Sequence, residues 1–154
     1  MIERVPPQNI EAEQAVIGGM LIEKEAISKV AEFLKADDFY REAHRLIFEA
    51  MLELFNKNEA VDLVTVTEVL RKNDKLEAVG GIAYITSLAN SVPTAANINY
   101  HGKIVEEKAL LRGLINSATH IASMGYEDTE AVTDIIDKAE KMILEVSERK
   151  MYGD

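Results

Sequence analysis

Apolar residues recur along this chain at intervals of three and four, the spacing of one face of a helix. Ile10, Ile17 and Leu21, with Val16 and Met20, predict a first helix over 10–21. Pro6-Pro7 stiffens its approach, Asn9 can cap it, and Glu11 and Glu13 fall in the first turn, where carboxylates complement the helix dipole. Gly18-Gly19 lies inside this helix, at roughly 1 kcal/mol per glycine relative to alanine. That cost predicts another helix approaching closely there. Ala26, Ile27, Val30, Ala31 and Leu34 predict a second helix over 24–34, ended by Asp37-Asp38. A third, over 41–56, buries Ala43, Ile47, Ala50, Met51, Leu54 and Phe55. Thr65-Val66-Thr67-Glu68 has the capping-box pattern and opens a short helix ending near Lys72. Gly80-Gly81 opens a fifth through Ile82, Ile85, Leu88 and Ala89. Val92-Pro93 stops it, because the residue before proline disfavours helical geometry.

The last third has a different pattern. Asn97 can cap a helix that nothing interrupts strongly before Gly125, about 27 residues or roughly 40 Å at 1.5 Å per residue. After a turn capped by Asp128 or Thr129, a final helix runs to 149, repeating Val132, Ile135, Ile136, Ala139, Met142, Ile143 and Val146 close to a heptad seam. The expected fold is all-α: a compact bundle of about five short helices over 1–96, then a long two-helix hairpin over 97–150. Ile104, Leu111, Ile115, Ala118 and Ala122 form one stripe of the longer helix, and Leu110, Leu114 and Ile121 an adjacent one. Two helices packed only on each other cannot cover both, so the second stripe requires either the helical body or a partner.

Composition narrows the function. The chain has 154 residues, with few aromatics, no Trp and three Pro, which favours helix over sheet. Its formal charge of -10 repels phosphate backbones, arguing against tight nucleic-acid binding by this domain alone. The absence of cysteine removes disulfides and thiolate chemistry and fits a reducing compartment such as the cytoplasm. No signal peptide is expected from Met1-Ile2-Glu3-Arg4-Val5-Pro6-Pro7. The uncharged run from Ala78 to Gly102 is long enough to span a bilayer, but Asn90, Ser91, Pro93, Asn97 and Asn99 break it, so it reads as buried helix plus turn.

The motifs of catalysis are missing. At the single Gly-Lys pair, Gly102-Lys103, Asn97 and Ile104 stand where a P-loop needs Gly and Ser/Thr. His44, His101 and His120 lack metal-ligand spacing and read as surface or core residues. Glu127, Glu130, Asp134 and Asp137 form an acidic helical stripe, as in helical magnesium-dependent nucleotide pyrophosphohydrolases. Lys138 and Lys141 among them favour a solvated face instead. No catalytic residue, cofactor or metal site is expected here.

Several segments in order carry a resemblance. They are Pro6-Pro7-Gln8-Asn9-Ile10-Glu11-Ala12-Glu13-Gln14 leading into Val16-Ile17-Gly18, then Asp38-Phe39-Tyr40 with Ala43-His44 and Ile47. Gly80-Gly81 with Tyr84-Ile85 and Leu88, Val92-Pro93-Thr94-Ala95-Ala96-Asn97-Ile98, Tyr100, and Ile104-Val105-Glu106-Glu107-Lys108 follow. Together they resemble the N-terminal domain of DnaB-type bacterial replicative DNA helicases over about 4–149. Gly102 departs from the Ala-like residue expected in the long helix, which puts the rigidity of its first turns in question.

The resemblance implies a collar domain that pairs subunits through the hairpins of a hexameric ring, docks primase, and contributes to loader and primosome contacts at replication forks. It also implies that 151–154 begins a linker to a separate RecA-like domain, which binds ATP and magnesium and through which DNA is contacted. The helicase-binding region of a primase is similar in fold and is the rival reading, with the pyrophosphohydrolase as the enzyme-class rival. For self-pairing, the residues singled out are Ile104, Leu111, Ile115, Ile135, Met142 and Ile143. Ile135→Asp is expected to weaken association while leaving most helix content, since it buries an unpaired charge only on association.

Overall fold

The computed structural model describes residues 4–152, with side chains through 149. All regular structure among them is helical: α1 (Ile10–Ile22), α2 (Lys24–Ala31), α3 (Glu42–Asn56), α4 (Leu63–Lys72), α5 (Gly81–Ser91), α6 (Ile98–Glu127) and α7 (Val132–Tyr152), with short 3-10 turns at Ala36–Asp38 and Glu77–Val79. Two compact units result. Gln8–Glu107 is the body; among the described residues, 108–152 together with 4–7 make the other. The first turns of α6 belong to the body because Ile98, Gly102 and Val105 are buried with it.

α1 runs through the middle of the body. Val16, Ile17 and Met20 are fully buried, and Gly18, Gly19 and Leu21 are buried beside them, leaving no solvated face along this stretch. The close approach predicted at Gly18 is present: a Cβ there would stand 2.5 Å from the Leu88 carbonyl oxygen and 2.6 Å from Val92 Cγ2. Only glycine lets α1 lie this close to α5. Gly102 has a similar explanation. A Cβ there would meet Phe33 Cζ at 2.8 Å, so the glycine seats an aromatic ring, and Lys103 Nζ lies 4.5 Å from the centroid of that ring.

Local chemistry explains the ends. Asn9 Oδ1 accepts from the Ala12 N–H at 2.9 Å, as its capping role requires. α2 stops at Ala31 instead of 34, and the Phe33 and Leu34 N–H groups both close on the Val30 carbonyl. The cap of α4 differs from the sequence expectation. Asp62 is the cap, its carboxylate accepting from Thr65 N–H at 2.9 Å while its own N–H donates to Thr65 Oγ1 at 2.9 Å. Thr65 is therefore the reciprocating residue, and Glu68 instead pairs with Arg71.

α6 passes through Gly125 and ends where Asp128 adopts a left-handed conformation with φ 48°. α7 starts at Val132 rather than directly after Asp128 or Thr129, with the Ala131 carbonyl accepting from Asp134 and Ile135. It continues through Met151 and Tyr152; Gly153 and Asp154, the rest of the expected linker start, lie outside the described residues, as do Met1, Ile2 and Glu3. The uncharged run over 78–102 folds as α5, a turn and the start of α6, and among the described residues no helix is long and apolar enough to cross a membrane.

Candidate functional site

The hairpin is built from two seams that face each other. Leu110, Gly113, Ser117, Ile121 and Met124 recur at heptad-like spacing along α6 and are partly buried; Ile135, Ala139, Met142, Val146 and Arg149 do the same along α7. A groove of about 200 Å³ lies along this contact, with Ala109, Leu110, Gly113 and Ser117 opposite Met142, Val146 and Arg149. Residues from the start of α6 and from the end of α7 line the same groove, so the two helices run antiparallel.

At about 100° per residue, Leu111, Leu114, Ala118 and Ala122 fall to one side of the α6 seam, and Arg112, Asn116, His120 and Ser123 to the other. In α7, Val132, Ile136 and Ile143 fall to one side, and Asp134, Lys138, Lys141 and Glu145 to the other. In antiparallel helices these two apolar flanks share one side of the hairpin. That side is open: Leu111, Leu114, Ile115, Val132, Ile136 and Ile143 are between 43% and 65% exposed. The result is an apolar face that spans two helices and is left uncovered within the chain.

The six residues singled out from the sequence separate into three environments. Leu111, Ile115 and Ile143 are on the exposed face or its rim. Ile135 and Met142 are partly buried in the seam. Ile104 is packed against the core of the body. Leu114, Val132 and Ile136 complete the face and were not singled out, because one chain's periodicity does not say which of two adjacent stripes its neighbouring helix covers.

The body holds a polar network that the sequence reading did not assemble. His44 and Glu13 are both buried, with His44 Nδ1 2.8 Å from Glu13 Oε1 and His44 Nε2 2.7 Å from the Tyr84 hydroxyl. The Glu13 carboxylate also accepts from Tyr40 N–H at 2.7 Å and Arg41 N–H at 3.4 Å. Gln14 Nε2 and Arg41 Nη1 point donors at the Tyr84 oxygen, at 3.3 and 3.5 Å. The arrangement that satisfies every group has the Tyr84 O–H donating to His44 Nε2 and the His44 Nδ1–H donating to Glu13. The network ties α1, α3 and α5 together. It reads as a structural pin, since its imidazole is sealed from solvent and both ring nitrogens are engaged.

Glu127, Glu130, Asp134 and Asp137 are exposed, and Glu130 accepts from Lys138 Nζ at 2.6 Å. Among the described residues no group of three or more His, Asp or Glu side chains could hold a metal ion.

The family described as the DnaB-like helicase N terminal domain matches residues 5–107. This chain belongs to that family. The replicative DNA helicase DnaC of Bacillus subtilis (strain 168) is 55% identical over 148 residues, 96% of this chain and 33% of the relative. The chain thus spans about a third of the length of this curated relative. The crystal structure of the N-terminal domain of DnaB helicase from Mycobacterium tuberculosis is similar at a TM-score of 0.89 and 42% identity, over 92% of this chain and 99% of that one. A structure of a DnaB-like replicative helicase and its interactions with primase is similar at a TM-score of 0.74 and 30% identity, over 90% and 31%. The all-helical fold is that of the DnaB N-terminal domain. Membership of the DnaB family sets aside the primase and pyrophosphohydrolase readings.

Proposed function

We propose that this domain is the collar of a ring-forming replicative helicase and works by presenting surfaces. The open side of the hairpin pairs it with a second copy, and another face docks primase. The observation that carries this reading is the one-sided apolar flank running over both helices, with polar and charged residues on the opposite flank. Burying what remains exposed of Leu111, Leu114, Ile115, Val132, Ile136 and Ile143 is worth about 1 kcal/mol per side chain. Taken over both copies of a pair, the total is of the same order as the 4–15 kcal/mol that association costs. The isolated domain is therefore expected to pair weakly, with tighter assembly arising when several contacts act together in a ring.

The likeness to a helicase solved for its interactions with primase supports the docking role. In the whole protein, ATP and magnesium act in a RecA-like domain that contacts and unwinds DNA, at replication forks in the cytoplasm, with helicase loader and primosome proteins as further partners. The test is sedimentation equilibrium across micromolar concentrations, alone and with the C-terminal region of a bacterial primase. Reversible self-association and a complex with primase are expected; a strict monomer that ignores primase contradicts the reading.

A further inference from the structure

The polar pin of the body has a chemical side as well as a structural one. Its order is hydroxyl, imidazole, carboxylate: the Tyr84 hydroxyl lies 2.7 Å from His44 Nε2, and His44 Nδ1 lies 2.8 Å from Glu13 Oε1. The carboxylate is held in turn by the Tyr40 N–H at 2.7 Å. A hydroxyl on a base, with the base oriented by a third group, is the arrangement that activates a nucleophile. Here the hydroxyl is a phenol.

Exposure divides the arrangement. The imidazole and the carboxylate are sealed, whereas Tyr84 is only partly buried and Arg41, whose Nη1 points at its hydroxyl, is exposed. The two contacts on that side of the hydroxyl, from Gln14 Nε2 at 3.3 Å and Arg41 Nη1 at 3.5 Å, are long, so an incoming group displaces them readily. Whatever approaches from there meets a guanidinium first, which favours an anion. Glu13 sets the opposite limit. A dianionic group left on Tyr84 would stand near a buried carboxylate, whereas a neutral acyl group adds no charge.

We propose that Tyr84 is an acceptor site for an acyl group delivered by an anionic donor of the acyl phosphate class. Tyr84 Oη bonds to the acyl carbon, and the bond from that carbon to the phosphate oxygen breaks, its electron pair leaving with inorganic phosphate. The phenol proton passes to His44 Nε2 while the Nδ1–H stays on Glu13, so the imidazolium forms already paired with a carboxylate. Arg41 faces the departing phosphate. The transfer is a single event on the chain and not a turnover. Its consequence is structural: an acylated Tyr84 has no proton to donate to His44, which opens the tie between α1, α3 and α5. This site is separate from the hairpin surface, and its test does not depend on pairing.

The probe is acetyl phosphate, incubated with the whole chain at neutral pH, with acetylation of each tyrosine followed by peptide mass spectrometry and its ester nature checked by removal with hydroxylamine. Tyr100 and Tyr126, 69% and 92% exposed, are references within the same molecule. A positioned base is worth about 10²–10⁴-fold, and partial burial removes some of that, so Tyr84 is expected to react about tenfold faster than Tyr126. Arg41→Gln, at an exposed position, should slow Tyr84 at least about threefold and leave Tyr126 unchanged. His44→Gln should abolish the preference for Tyr84; the comparison within the unaltered chain stands even where that variant does not fold. Acetylation that follows exposure, with Tyr126 first and Tyr84 last, or an Arg41→Gln chain that reacts at Tyr84 as fast as the unaltered one, would overturn the proposal.

Discussion

Gly18 and Gly102 of the body and the glycines of the hairpin are in opposite circumstances. In the body, a Cβ at Gly18 would strike the backbone of α5 and one at Gly102 would strike Phe33; in the hairpin, a Cβ at Gly113 meets nothing within 4 Å. Burial follows the same division. Past Glu107, Ala109 is the one buried apolar residue among those described, whereas Leu111, Leu114, Ile115, Ile136 and Ile143 remain open. The body has spent its apolar surface on its own core, and the hairpin has kept much of its surface outward. A domain that holds a rigid core in one unit and an open apolar face in the other is suited to assembly.

The comparison is broken most severely at the polar pin. His44→Ala leaves the buried Glu13 carboxylate without one of its donors and is expected to destabilise the domain by about 3–5 kcal/mol in urea unfolding; a loss below 1 kcal/mol would show that the network is not fully engaged. Gly18→Ala comes next, at about 1–3 kcal/mol, because the obstructing atom is backbone and cannot swing away. On the hairpin, Ile136→Asp should weaken self-association about tenfold while changing monomer stability by no more than about 0.5 kcal/mol. Ile135→Asp, one residue earlier and half-buried in the seam, should also lower the stability of the hairpin itself, which circular dichroism on heating would register. The smallest effect carries the opposite sign: Gly113→Ala should stabilise by up to about 1 kcal/mol through helix propensity alone.

How much of this was legible in the sequence depended on whether a feature was local. The glycine pair in α1 announced the approach of another helix because an apolar helix interior has few other uses for glycine. Gly102 gave no such sign, since its reason is a ring 69 positions away in the chain. The capping pattern at Thr65 was assigned three residues late, because Asp62 and Thr65 serve as well as Thr and Glu in the reciprocal bonds. Glu13, His44 and Tyr84 are ordinary residues along the chain and become a network only when three helices meet. On α6, two apolar stripes are equally plausible seams until α7 is placed beside one of them. The existence of a surplus stripe was readable; its identity was not.

The central claim is that one side of the hairpin, and not the other, is covered when two copies meet. The chain contains no cysteine, so a single thiol can report on each side. Ala118→Cys places it on the apolar flank and Asn116→Cys on the polar flank, both exposed in the free chain. The measurement is the rate of maleimide labelling as protein concentration rises through the micromolar range. The account predicts that labelling at position 118 slows with concentration while labelling at 116 holds constant. Equal behaviour at the two positions, whether both slow or neither does, would contradict it.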